Sequence, residues 1–82
     1  MREGKEMLDG TTIFKERLKQ AVFESGKSHE KIRRELMTSK SGLYEWMEGT
    51  RMPNTYYLIK LCRCLNVSAD WILGLSEKKE RG

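Results

Sequence analysis

Apolar residues recur three and four positions apart along most of the chain, which is the spacing of one face of an α-helix. The first such segment is predicted to form a helix from Thr12 to Glu24, capped by Thr11 or Thr12 and ended by Gly26. Its apolar stripe consists of Phe14, Leu18, Ala21 and Val22. No segment alternates apolar and polar residues as a strand does, so the pattern predicts an all-α fold.

Two short helices separated by a tight break are predicted next. The first begins at Ser28, a suitable N-cap, and runs to about Met37. The second runs from about Ser39 to Glu48, where Gly49 ends it. Its apolar face is formed by Leu43, Trp46 and Met47. A short helix with a free polar face, braced by a second helix, is the arrangement of a helix-turn-helix, which offers side chains to the major groove of DNA.

Two further helices complete the pattern. Pro53 disfavours helix just before it, and Asn54 can cap a helix over residues 55–65. The predicted buried face of that helix is Leu58, Leu61, Cys62 and Leu65. Ser68 is the predicted N-cap of a short fifth helix, which Gly74 closes. The apolar residues of the fifth helix are Trp71, Ile72 and Leu73.

The length of 82 residues suffices for one small domain. We place it at residues 11–75, between a flexible arm over residues 1–10 and a charged tail over residues 76–82. The net charge is +4, and eight basic and four acidic residues between positions 27 and 63 account for all of it. A basic excess around a presented helix suits a polyanion such as nucleic acid, although many ordinary solvated surfaces have one too.

Membrane, metal and catalytic functions have little support in the sequence. No apolar run approaches the roughly 20 residues of a membrane span, and the first ten residues lack the apolar core of a secretory signal. We therefore expect a cytoplasmic, nucleoid-associated protein. Cys62 and Cys64 point in different directions on a helix, and only His29 could join them where a zinc site needs about four ligands. Without a nucleophile–base pair or a phosphate-cradling glycine loop, neither an enzyme nor a cofactor is predicted.

Two motifs in this sequence resemble the Cro and phage-repressor family of helix-turn-helix proteins, also called the lambda-repressor-like or Xre family. They are Trp46-x-x-Gly49-x-Arg51-x-Pro53 and Leu65-Asn66-Val67-Ser68-x-Asp70-Trp71-Ile72-Leu73-Gly74. The resemblance covers residues 14–75. It implies a compact five-helix bundle. It also implies DNA binding, mostly as a homodimer on a palindromic operator, and usually repression of transcription.

The resemblance also implies which residues meet double-stranded DNA. The expected base-reading residues are Lys40, Ser41, Tyr44 and Glu45. The expected phosphate contacts are His29, Ser39, Thr50 and Arg51. Arg17, which lies off the apolar stripe of the first helix, is a further expected phosphate contact that does not depend on the resemblance. Lys40 has the reach to donate to guanine O6 and N7, and Glu45 could accept from cytosine N4.

Some positions depart from the family pattern. Arg33 stands where alanine is usual between the two motif helices, and Met37 where glycine is usual in the turn. A residue other than glycine must accept a left-handed conformation there, or the turn must change shape. Val22 and Met47 stand where many members have an arginine–glutamate ion pair, so we predict that these two apolar side chains touch.

Two hypotheses for the function result. The first is a sequence-specific transcriptional regulator, a repressor of phage or mobile-element type, whose dimer surface is the fifth helix with Trp71 and Leu75 unless Trp71 packs into the core. The alternative is an antitoxin-like or purely protein-binding module of the same fold, with a toxin or another regulator as its partner. The alternative gains weight if Arg33 and Met37 distort the motif, and absence of salt-dependent DNA binding would favour it.

Overall fold

The computed structural model describes residues 10–80, and the helices in that range follow the predicted order. They are α1 (Gly10–Ser25), α2 (His29–Leu36), α3 (Lys40–Glu48), α4 (Thr55–Leu65) and α5 (Ala69–Ile72). No strand occurs among these residues, and the all-α prediction is confirmed. The predicted arm lies outside the described residues except for Gly10, which belongs to α1.

Short polar side chains set the starts of α2 to α5. Each accepts a backbone N–H three residues further on, a donor that the helix itself leaves unpaired. These N-caps are Ser28, Ser39, Asn54 and Ser68, of which the sequence predicts Ser28, Asn54 and Ser68. The predicted cap of α1 was wrong, because Thr11 and Thr12 lie within the helix, which already includes Gly10.

The core lies where α1 packs against α3, α4 and α5, while α2 packs against α3 and α4. Its fully buried large side chains are Phe14, Leu18, Ile32, Leu36, Leu61, Val67 and Ile72. Burial of each such side chain contributes about 1.5–3 kcal/mol relative to exposure. Val22 is buried, and Met47 packs against the same core; contact between these two stays a prediction. The result is that α3 is supported from behind by α1 and α2.

The segment after α5 folds back onto the bundle. The carbonyl oxygen of Lys79 accepts the backbone N–H of Ser68 at 2.8 Å. The Lys79 ammonium pairs with Glu24 at the end of α1 and lies 5.8 Å from the ring centroid of Trp71. The described part of the predicted tail therefore belongs to the packed structure.

Cys62 is buried and Cys64 is half-buried, and no disulfide joins them. The Cys64 thiol donates to Glu35 Oε1 at 3.0 Å, and Lys27 Nζ lies 2.9 Å from the same oxygen. These donors lower the pKa of the Glu35 carboxyl from its ordinary 4.5 to about 2. Burial first, and then the neighbouring carboxylate, raises the pKa of the Cys64 thiol to about 11. The cluster joins α2 to α4 and to the loop before α2.

Candidate nucleic-acid interface

One face of α3 is anchored in the core and the other is free. Leu43 and Trp46 are 3% and 6% exposed, and the Trp46 ring lies 5.4 Å from that of Tyr57 on α4. Tyr44 is 62% exposed on the other side of the helix. The free face therefore has a rigid support, which is what precise positioning of ligand-contacting side chains requires.

The turn between α2 and α3 keeps a left-handed shape despite its methionine. Met37 has φ 58° and ψ 44°, and its side chain is 79% exposed. Its N–H reaches the carbonyls of Arg33 and Arg34, so the end of α2 is capped by backbone bonds. The sequence left two possibilities, a left-handed Met37 or a turn of altered shape. Met37 adopts the left-handed conformation, and the turn keeps its shape.

Arg33 stabilises this turn from the side. Its Nη1 donates to the carbonyl of Thr38 at 3.4 Å, and its guanidinium also pairs with Glu30 one turn earlier in α2. The side chain is 28% exposed. Arg33 therefore spans the two motif helices without leaving an uncompensated charge between them.

Two glycines allow the close approaches that fix α3. A Cβ on Gly42 would lie 2.9 Å from Thr38 Oγ1, so glycine leaves room for the hydroxyls at the N-terminal end of α3. Gly49 has φ 85°, and a Cβ there would lie 2.7 Å from Cδ of Lys15. The Lys15 side chain of α1 therefore covers the C-terminal end of α3.

A cleft of about 260 Å³ opens between α2 and α3. It is lined by His29, Glu30, Arg33, Lys40, Leu43, Tyr44 and Met47. Three of the predicted DNA contacts, His29, Lys40 and Tyr44, are brought together here. Within residues 10–80, neither His29 nor Lys40 forms an ion pair or a side-chain hydrogen bond, although the charge of Lys40 interacts at longer range with that of Glu30.

A second group of predicted contacts meets at the C-terminal end of α3. The Glu45 carbonyl accepts the backbone N–H groups of Gly49, Thr50 and Arg51 at 3.0, 3.1 and 3.4 Å. Thr50 Oγ1 donates to the same oxygen at 3.3 Å. Arg51 Nε lies 3.6 Å from the carboxylate oxygen Oε1 of Glu45. The loop is therefore folded against α3 beside its last turn.

The predicted serines lie at the other end of α3. The Ser39 hydroxyl accepts the N–H of Gly42 at 3.0 Å and lies 3.3 Å from that of Ser41. Both residues are exposed. A helix N-terminus carries a partial positive charge, so this end of α3 favours an anionic group.

Arg17 is the one predicted contact that the structure does not bring to these groups. Its Nη1 donates to the carbonyls of Trp71 at 2.5 Å and Ser76 at 2.9 Å, and its guanidinium lies 5.1 Å from the Trp71 ring centroid. The side chain is only 19% exposed and also pairs with Glu77. Arg17 thus attaches the C-terminal segment to α1.

The sequence did not single out Lys15 as part of this region or Arg33 as part of the cleft. Lys15 lies off the apolar stripe of α1, and its position over Gly49 depends on how α1 packs on α3. Arg33 was noted as a departure from a family pattern, but its bond to the Thr38 carbonyl could be found only in three dimensions.

Within the described residues, we also looked for a metal site and for a membrane-spanning helix. Residues 10–80 contain no group of three or more histidine, cysteine, aspartate or glutamate side chains that could hold a metal ion. No helix of this part of the chain combines the length and the apolar composition needed to cross a membrane.

The family comparison agrees with the geometry. A family model described as helix-turn-helix, of the Cro and phage-repressor type, matches residues 16–72. No curated protein and no solved structure matches the chain significantly. The matched residues begin in α1 and end at the last residue of α5, so they include both motif helices and their supports. The chain therefore belongs to the helix-turn-helix family of DNA-binding regulatory domains of the Cro and phage-repressor type.

Proposed function

We propose that this protein is a sequence-specific transcriptional regulator that acts as a repressor of phage or mobile-element type. The observation that carries the proposal is the free face of α3, which is rigidly supported by the core behind it. That face presents Lys40, Ser41, Tyr44 and Glu45. An α-helix so presented fits the major groove of B-DNA.

Base recognition is assigned to the side chains of α3. Lys40, with no ion-pair partner within residues 10–80, donates to guanine O6 and N7. Glu45 accepts from the amino group of cytosine, and Ser41 donates or accepts. Tyr44 contacts a thymine methyl group or a phosphate. Each good base contact contributes about 1–3 kcal/mol of discrimination.

Phosphate contacts are assigned to both ends of α3 and to the start of α2. His29 is the first residue of α2, where backbone N–H groups also point outward. Ser39 lies before α3, and Thr50 and Arg51 lie beyond its end. These contacts fix orientation on the duplex without reading sequence. Arg17 is left out, because the C-terminal segment holds its guanidinium.

A homodimer on a palindromic operator completes the proposal. One domain of this size offers few base contacts, and a two-fold dimer doubles them, with half-sites roughly 34 Å apart. Leu75 is 74% exposed, whereas Trp71 is 5% exposed and belongs to the core. We therefore place the dimer contact at Leu75 and not at Trp71. The protein would act in the cytoplasm, on nucleoid DNA.

The retained shape of the turn favours DNA binding over the protein-binding alternative. Within that alternative, the purely protein-binding module depended on distortion of the motif by Arg33 and Met37. Met37 keeps the left-handed conformation, and Arg33 bonds across the turn. Both observations support a motif able to enter the groove.

The test is selection of bound duplexes from a random DNA pool, with Lys40→Ala, Arg51→Ala and a control, Lys78→Ala. The control removes the same charge as Lys40→Ala, from an exposed position in the C-terminal segment. We expect a palindrome from the parent, loss of preference at one position per half-site with Lys40→Ala, and uniformly weaker binding with Arg51→Ala. Lys78→Ala should match the parent. Weak, sequence-blind binding by the parent would instead support the protein-binding alternative.

A further inference from the structure

We propose that the Glu45–Arg51 ion pair increases the sequence specificity of binding. When the protein binds DNA, Arg51 leaves Glu45 for a phosphate, and only the correct base takes the place of Arg51 at the Glu45 carboxylate. The inference rests on the proposed function and deepens it. It makes a base-reading residue and a backbone-contacting residue act as a coupled pair. Binding to an incorrect sequence then leaves the Glu45 carboxylate without a partner beside the phosphates.

The geometry puts both side chains where they can exchange partners. Arg51 Nε lies 3.6 Å from Glu45 Oε1, and their side chains are 72% and 39% exposed. Backbone bonds from the N–H groups of Thr50 and Arg51 to the Glu45 carbonyl hold the loop in place independently of the ion pair. The arginine side chain can therefore swing away without unfolding the loop.

The chemistry of the two ligands sets the direction of the effect. A phosphate accepts two parallel N–H groups from a guanidinium and competes well with an exposed carboxylate. The abandoned carboxylate needs a donor, and in the major groove the amino group of cytosine offers one. Guanine and thymine present no donor in that groove, and adenine presents its N6 amino group only beside the acceptor N7, which repels the carboxylate.

The effect on equilibrium should be small but measurable. An exposed ion pair changes an equilibrium by about fivefold at most, since such pairs contribute about 0–1 kcal/mol. Loss of the pair penalises every sequence, and the cytosine contact restores the lost stabilisation only at the matching position. The ion pair therefore increases the difference in affinity between correct and incorrect sequences, because it weakens binding to the incorrect ones.

The chain offers a matched control in Glu48. This glutamate lies on the same helix, is exposed, and forms no ion pair within residues 10–80. Glu48→Gln thus makes the same change of charge near the same end of α3 without releasing an arginine. Glu45→Gln leaves in place the backbone carbonyl that accepts the N–H groups of the loop, so this variant should lose no more stability than the ion pair contributes, and both variants should stay folded.

The experiment measures Kd for a random-sequence duplex at several salt concentrations, using the parent, Glu45→Gln and Glu48→Gln, each with and without Arg51→Ala. We expect Glu45→Gln to tighten binding to random DNA about two- to fivefold more than Glu48→Gln does. In the Arg51→Ala background this difference should vanish, because there is no ion pair left to break. When Kd is also measured for a selected duplex, Glu45→Gln should reduce the ratio of the Kd for random DNA to the Kd for selected DNA.

Two outcomes would overturn the inference while leaving DNA binding intact. One is an equal effect of Glu45→Gln and Glu48→Gln in the parent background. The other is a Glu45→Gln effect that persists undiminished without Arg51. If the parent itself binds no duplex in a salt-dependent way, the proposed function fails first and the inference fails with it.

Discussion

The turn residue Met37 allows a direct test of how backbone strain is distributed in this motif. Met37 has φ 58°, a conformation in which a Cβ costs about 1–2 kcal/mol. Glycine removes that cost, and the N–H bonds to the carbonyls of Arg33 and Arg34 are retained because they belong to the backbone. The methionine side chain is 79% exposed, so its removal sacrifices little burial.

The expected net effect of Met37→Gly is stabilisation by about 0.5–1 kcal/mol. Relief of the left-handed strain is offset by roughly 0.5–1 kcal/mol, because glycine makes the unfolded chain more flexible. For a domain of this size the gain corresponds to a rise in Tm of roughly 3–6 °C. Thermal and urea denaturation followed by circular dichroism would measure it, and an unchanged urea m-value would place the effect on stability alone.

Met37→Ala is the matched control. Alanine removes the same exposed side chain but keeps the Cβ, so its stability should stay close to that of the parent. Asn66→Gly is a second comparison at φ 57°, where asparagine tolerates the left-handed region and a smaller gain is expected. If Met37→Gly proved no more stable than Met37→Ala, the turn would carry no strain and the reasoning would be refuted.

Three further predictions concern the support of the domain. Arg17→Ala should cost about 2 kcal/mol by removing the charged donor to the carbonyls of Trp71, which keeps the N–H of Gly74, and Ser76. Glu77→Gln, at a side chain 94% exposed, should be nearly neutral in denaturant melts. Under conditions in which Arg17→Ala is still folded, the dependence of its DNA affinity on salt concentration should equal that of the parent. A weaker salt dependence would show that Arg17 contacts a phosphate after all. Because folding lowers the pKa of Glu35 from 4.5 to about 2, its contribution to stability is complete above pH 4.5 and is lost as the pH falls toward 2. Glu35→Gln should therefore flatten the acid side of a stability–pH curve, and an unchanged curve would count against the Lys27–Glu35–Cys64 cluster. Val22→Ala and Met47→Ala should show a coupling of about 0.5 kcal/mol or more in a double-mutant cycle; strict additivity would mean that these side chains do not touch.

The helices and their starts were determined by local chemistry that is visible in the sequence. Ser28, Ser39, Asn54 and Ser68 each cap the predicted helix, because a short polar side chain can satisfy a donor only a few residues away. Gly49 and Asn66 end α3 and α4 in the left-handed conformation that suits them. The apolar spacing also identified the buried faces, since helical periodicity fixes which residues share a side.

The candidate interface was anticipated less completely, because a surface is assembled from separate elements. The family motifs placed the predicted base-reading residues on α3. Only packing showed that His29 of α2 shares a cleft with Lys40 and Tyr44, and that Lys15 of α1 covers Gly49. These pairs are distant in sequence and leave no periodic signal.

The sequence by itself determined the set of helices, the starts of α2 to α5 and the family to which the chain belongs. The tertiary structure decided the partners of the long charged side chains, which reach several ångströms and choose among groups that only folding brings near. Arg17 holds the C-terminal segment, Arg33 bonds across the turn, and Arg51 pairs with Glu45. Tertiary packing also decided that Met37 accepts a left-handed conformation, because the helices on both sides of the turn are held by a shared core that outweighs the strain of one residue.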